Sequence, residues 1–269
     1  MKYLESAIKF LLKYWILALP LFVLTAVAAL ISGIGVSTAQ LGTLWATIGN
    51  PGQLTDPGNL IKTLPAVLPA IAGGGILAFL FNFVSIPATY GLVNKGLETG
   101  TAGLNDIGPA VTLNFVKYIM YFVGTLVLGI AATLAIVIVG FLLGLILSLL
   151  GGIGSVILAL IMLAIFIAVA VLFVLLSMWL SAMVVDNLDV MAAAKKSIEI
   201  VRTSFWTVLG ITILVAIACG IAGFILGLLR VIPLLGPIIA SIVPTVQTFV
   251  MVVFLLMIYR EKTGKANAI

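Results

Sequence analysis

The chain has 269 residues, of which 64% are hydrophobic and only 8% charged, with a formal net charge of +5. An ordinary soluble domain is about 45–50% apolar and about 25% charged. A chain this apolar lacks the polar surface to cover a water-soluble fold, and it is too hydrophobic for disorder. The absence of His and the single Cys219 exclude an internal disulfide, most metal sites and the commonest general base. The composition describes an integral membrane protein.

A crossing helix needs about 20 mostly apolar residues. The first such run extends from Trp15 to Ile34 and ends in a stretch rich in small residues (Gly33, Gly35, Ser37, Thr38). Pro20 lies early in it, and no small-x-small cleavage pattern follows at short distance, so it reads as a span rather than a cleaved signal. A loop with Asn50, Pro51, Gly52, Asp56, Pro57 and Gly58 follows, where turn formers cluster. The second span covers about 69–93, and Pro87 predicts a kink in it. No charge occurs from Ile119 to Val185, a stretch long enough for two helices, placed at about 112–149 and 155–184. Gly151, Gly152 and Gly154 mark the turn between them, and Asn114 and Lys117 place the start of the first in the interface. A fifth span at about 206–229 is closed by Arg230 and Pro233, and a sixth at about 236–259 by Tyr259, Arg260, Glu261 and Lys262. Pro233, Pro237 and Pro244 around the last turn read as a tight hairpin with a kinked start, or alternatively as a re-entrant entry beside a cavity.

Six spans place both termini on one side. On that side fall Lys2, Lys9, Lys13, Lys95, Lys117, Lys195, Lys196, Arg202, Arg260, Lys262 and Lys265, and on the other only Lys62 and Arg230. Positive charge is retained in the cytoplasm, so both termini are expected there, in the plasma membrane. Basic residues beside anionic headgroups account for the charge without a nucleic-acid partner.

Three segments resemble one another. Residues 6–15 (SAIKFLLKYW) and 197–206 (SIEIVRTSFW) match at Ser6/Ser197 and Trp15/Trp206, and 110–119 (AVTLNFVKYI) aligns Lys117-Tyr118 with Lys13-Tyr14. Each is basic, bears aromatics and leads into a span, as amphipathic helices in the headgroup plane do. The expected architecture is all-α: one integral membrane domain over 1–269, six transmembrane helices in three hairpins, with amphipathic cytoplasmic interfacial helices. Repeat units would cover about 1–93, 105–185 and 188–262. Convergence is the competing explanation, since any span entered from the cytoplasm gains Lys and aromatics at its start.

No ionisable residue falls near the middle of any span, which argues against a proton relay or voltage sensor. No catalytic, cofactor-binding or metal-binding set is assembled by the sequence. Ser181 and Lys195 leave only a formal Ser–Lys pairing, and Gly73-Gly74-Gly75 lies in an apolar run without the Lys of a phosphate loop. The polar intramembrane candidates are Asn82 and Gln247, which line a path or hydrogen-bond between helices. Gly140-x-x-x-Gly144 and Gly223-x-x-x-Gly227 permit close helix contact. The connection between the fourth and fifth spans carries Asp186, Asn187, Asp189, Lys195, Lys196, Glu199 and Arg202. Asp189 suits a helix cap and Glu199 stands four residues after Lys195. Asp189, Lys195, Lys196 and Arg202 are the candidate docking or headgroup positions.

The pattern Asp189, Ala193, Ser197, Arg202, Phe205-Trp206 and Leu209, followed by two spans ending in Tyr259-Arg260, resembles the membrane domain fused to some bacterial glycerophosphodiester phosphodiesterases. PATYGLVNKGLETG at 87–100 with Asp106 has the same look. Related six-span prokaryotic domains of unknown function occur alone. The resemblance covers about 85–262. It implies a helical membrane module and no enzymatic activity, because the catalytic barrel is absent. The expected function is non-enzymatic, passing or handling a small or lipophilic solute or lipid; the alternative is a scaffold that organises a partner. The expected partners are the bilayer and a second copy or another membrane protein, with no cofactor.

Overall fold

A computed structural model describes residues 2–35, 76–232 and 234–265. The loop from Asn50 to Gly58, Lys62, Gly73–Gly75, the first residues of the second span, Pro233 and the Arg230 side chain lie outside the described residues. Among the described residues all regular structure is helical. The α-helices are α1 (Lys2–Lys13), α2 (Leu19–Gly35), α3 (Ile76–Thr99), α4 (Ile107–Ser148), α5 (Gly152–Leu175), α6 (Trp179–Asp186), α7 (Val190–Gly227) and α8 (Leu235–Lys262). Five segments are long and apolar enough to cross a membrane, or six when α1 and α2 count as one bent span. The chain is an all-α polytopic membrane protein.

The bend between α1 and the segment after it is 88°. It follows from the sequence of α1. Glu5, Lys9 and Lys13 share one face, Tyr3, Ala7, Phe10 and Tyr14 a second, and Ile8 and Leu12 a third. Ala7 and Phe10 are fully buried, and Phe10 stacks on Phe249 of α8 at 6.2 Å. Ile8 and Leu12 remain exposed. A helix with one charged, one protein-facing and one lipid-facing stripe is at home in the interface. After a 3-10 turn at Trp15–Ala18, α2 runs 17 residues, or about 26 Å, close to the hydrocarbon thickness. The apolar segment after the bend thus begins at Trp15, as the sequence suggests, with its first turn 3-10.

The helices pack as three neighbouring pairs, α2 with α3, α4 with α5 and α7 with α8, and α3 also packs on α4. α8 is the centre. It contacts α1, α2, α3, α6 and α7, and nearly every residue from Phe249 to Arg260 is buried. The most apolar helices lie outside. Val127, Leu134, Val137 and Phe141 of α4 and Leu160, Leu163 and Phe166 of α5 are all exposed. Lipid tails solvate such side chains as well as protein does, so nothing drives them inward.

Several boundaries differ from the sequence-based expectation. α3 continues through Pro87 to Thr99, and α4 starts five residues before 112, with Pro109 in its first turn, where a missing N–H costs no helical bond. The expected interfacial helix near Val190 and the fifth span are both present as the two halves of α7, which meet at a kink at Ser204, whose backbone is non-helical. There the Ser204 and Thr203 hydroxyls both donate to the Ile200 carbonyl, a bond that competes with the helical ladder. Of the prolines around the last turn, Pro237 and Pro244 lie within α8. A 3-10 turn at Leu228–Val231 leads to Leu234, at φ +64, and α8 then runs on through Pro244.

The expected helix at 155–184 is broken at Leu176–Met178, between α5 and α6. Ser197 of α7, fully buried, repairs the break. Its hydroxyl donates to the Leu175 carbonyl at 2.8 Å and accepts the Met178 N–H at 3.1 Å. Trp179 anchors the start of α6: its indole N–H donates to the Val190 carbonyl at 2.7 Å, and its ring sits where Gly124 of α4 leaves room. Ser197→Ala leaves a buried donor and a buried acceptor without this partner, at a cost of about 1–3 kcal/mol. A lowered Tm in detergent is expected, and Ser197→Thr, which keeps the hydroxyl, is expected to lose less.

Candidate functional site

Most polar bonds between distant helices lie at one end of the bundle, where α3 and α6 finish, α4 begins and α8 finishes. Arg260 is buried to 5% exposure at the end of α8. Its guanidinium donates to Asn94 Oδ1 at 2.9 Å and lies 3.7 Å from Glu98. Asn94 and Glu98 are one turn apart on α3, so both face the same partner. The neighbouring Tyr259 hydroxyl donates to Asp186 Oδ2 at 2.5 Å. α8 ends in a Schellman cap, with Gly264 at φ +73, Gly264 N–H on the Glu261 carbonyl and Lys265 N–H on the Arg260 carbonyl. The cap swings Lys265 back onto Asp186 Oδ1 (2.5 Å) and the Val185 carbonyl (3.0 Å).

On the other wall, Lys95 meets Asp106 at 2.7 Å, and Asp106 also accepts the Gly103 N–H at 3.0 Å. Lys95 and this N–H hold the Asp106 carboxyl below its ordinary range. For Asp186, which stands just past the last uncharged residue of its stretch, burial acts to raise the carboxyl. Lys265 and Tyr259 outweigh it and hold the group below the ordinary value.

α4 adds two side chains. Asn114 is buried and donates to the Ala110 carbonyl at 2.8 Å. Gly91 makes this approach of α3 and α4 available, since a Cβ there would lie 2.7 Å from both Ala110 Cβ and Asn114 Nδ2. One turn on, Lys117 donates to Asn187 Oδ1 at 2.5 Å and reaches Asn114 Oδ1 at 3.5 Å. Asn187 stands in the left-handed region (φ 53) after α6, a conformation that Asn tolerates better than most residues. Between these walls lies a cleft of about 360 Å³, lined among others by Asn94, Lys95, Glu98, Asp106, Leu113, Asn114, Lys117 and Asn187.

Two further cavities lie away from the charges. One, of about 390 Å³, sits between α2, α3 and α8 and presents the neutral groups Thr25, Asn82, Ser85, Ser241 and Thr248. Pro244 lines it as well, and lacks the N–H that would bond the Ala240 carbonyl. The other is an open apolar groove of about 530 Å³ on α4 and α5, lined by residues such as Phe122, Thr125, Gly129 and Phe173.

The sequence candidates are dispersed among these sites. Asn82 lines the neutral cavity. Gln247 does not; it is half-buried, and Thr248, turned about 100° from it on the helix, lines the cavity instead. Asp189 caps α7 by accepting the Ala192 N–H at 2.7 Å. Glu199 pairs with Lys196 at 3.1 Å, three residues away, and not with Lys195. Lys195 and Arg202 are exposed, and none of Asp189, Lys195, Lys196 and Arg202 lines the cleft. Gly140 packs close to Met162 of α5, so the first glycine pair serves its own hairpin. Among the described residues no group of three or more His, Cys, Asp or Glu is placed to hold a metal. No family model matches the chain, and no curated protein or solved structure matches it.

The Asp186 anchor carries a pH signature. A carboxyl depressed by folding contributes stability that is complete above the ordinary aspartate pKa of about 3.9 and is lost as pH falls through the lower folded value. Asp186→Asn is expected to lower Tm at pH 7 and to flatten its decline below pH 4. A variant as stable and as acid-sensitive as the parent would remove Asp186 from the account.

Proposed function

We propose that the chain is a non-enzymatic membrane module that holds a lipid at the polar end of its helical bundle, in the plasma membrane with both termini cytoplasmic. The observation that carries this reading is the meeting of two surfaces on α4. The polar cleft is lined by Lys117, Asn114 and Leu113. Leu113 also begins a stripe with Met120 and Val127, at seven-residue spacing, that is 69%, 48% and 60% exposed. A headgroup in the cleft has an apolar track for its chain beside it. The volume of about 360 Å³ falls within the about 300–1,000 Å³ of small-molecule sites. The orientation rests on the distribution of Lys and Arg.

A scaffold is the second reading. It is favoured by the exposed apolar surface of α4 and α5 and by exposed Trp206 beside Arg202. Native mass spectrometry of the protein released from its own membranes separates the two. A stoichiometric phospholipid retained on the chain is expected. A chain without lipid, or one that carries a second protein in its place, would shift the assignment to the scaffold.

A further inference from the structure

We infer that Lys117 and Asn187 form the seat of a phosphate diester, the headgroup phosphate of a membrane lipid. The inference rests on the lipid-holding reading and names the chemistry of its cleft.

Lys117 differs from the other lysine of the cleft in its partners. Lys95 is paired with Asp106, while Arg260 of α8, which does not line the cleft, engages Glu98. Lys117 meets only amide oxygens, Asn187 Oδ1 at 2.5 Å and Asn114 Oδ1 at 3.5 Å. Among the described residues no carboxylate lies within ion-pair distance of it. The two carboxylates that line the cleft, Glu98 and Asp106, are those already engaged by Arg260 and Lys95. The lining carries two lysines and two carboxylates, but Asp106 is taken by Lys95 and Glu98 by Arg260, which reaches it from outside the lining, so the half-buried Lys117 is the lysine left without a carboxylate partner.

A partly desolvated ammonium is stabilised by an anion. The amide oxygens that hold it are neutral and leave its charge intact. They also fix its direction, and the Asn187 amide that accepts from Lys117 carries an NH2 group beside the accepting oxygen. Two donors of different kinds thus stand next to each other in a cleft that Leu113 also lines. A phosphate diester is singly charged at neutral pH and offers two unesterified oxygens. It matches one lysine without a carboxylate and one amide donor, and charge-assisted bonds of this kind are the strong ones. Lys117 is the last charged residue before the charge-free stretch that runs to Val185, and Lys at the edge of an apolar stretch is placed to meet the headgroup layer.

The test uses the full chain in detergent, stripped of lipid and titrated by native mass spectrometry. The probes are a short-chain phosphatidylglycerol, the diacylglycerol with the same chains, and the phosphatidylglycerol in the presence of excess inorganic phosphate. Phosphatidylglycerol is expected to bind at least roughly tenfold more tightly than diacylglycerol, the worth of one charge-assisted hydrogen bond. Lys117→Gln is expected to remove that preference and Lys117→Arg to retain it. Asn187→Asp keeps a residue that accepts the left-handed backbone and supplies Lys117 with a counter-ion, so the fold is preserved while the preference is lost. Equal binding of the two lipids, or an unchanged preference in Asn187→Asp, would overturn the phosphate seat and leave lipid holding intact. Failure of both lipids to bind would remove the lipid-holding reading itself. Displacement of phosphatidylglycerol by inorganic phosphate would assign the seat to a soluble phosphate and overturn the lipid assignment.

Discussion

In the hydrocarbon of a bilayer no water is present to bond a free N–H or carbonyl, so each must find its partner inside the protein. Much of this fold follows from that constraint. Long helices satisfy it by themselves, which is why α4 and α5 tolerate almost complete exposure of their side chains. Where a helix is interrupted, another element must supply the bonds. The break at Leu176–Met178 exists because Ser197, on a different helix, presents one hydroxyl that serves both the loose carbonyl and the loose N–H. Beyond the break α6 is buried from Trp179 to Val184, and its end brings Asp186 and Asn187 to the polar end of the bundle.

The same constraint separates the chemistry of the chain from its bulk. Charge is confined to where helices end, and the ends of α3, α6 and α8 with the start of α4 meet in one place. There the bonds join residues far apart in sequence: Arg260 to Asn94, Lys265 to Asp186, Lys117 to Asn187. Each needs both partners, since a half-buried charge without one is costly. The central helix α8 carries Tyr259 and Arg260 into this network, so the most buried helix also organises the most polar site. The outer hairpin does the opposite and gives its surface to lipid.

The general architecture was legible in the sequence because it depends on hydropathy and charge placement, which are local. The interfacial character of α1 followed from the basic, aromatic-bearing segment 6–15, and the glycines at 151–154 located the turn of the outer hairpin. The break near Ser177 was not legible. Leu-Leu-Ser-Met contains neither Gly nor Pro, and the side chain that allows the break lies 19 residues beyond Met178. The cleft was legible only in fragments. Asn94, Lys95 and Glu98 lay inside a segment singled out for its resemblance, and Tyr259-Arg260 closed another, but nothing in a linear reading joins Lys117 to Asn187 across 70 residues. For Gln247 the obstacle was rotation: the helix turns this amide away from the cavity that Asn82 and Thr248 share.

The central claim is that the cleft, the ends of α3 and α6 and the charged start of α7 share one membrane surface, while the turn of the outer hairpin lies on the other. Single cysteines at Glu98, Asn187, Arg202 and Leu149, each introduced after Cys219→Ser, test it with a membrane-impermeant maleimide applied to right-side-out and inverted vesicles. The first three are predicted to label from the cytoplasmic face alone, and Leu149, 87% exposed beside the turn, from the opposite face alone. Labelling of Leu149 and Asn187 from the same face would contradict the account.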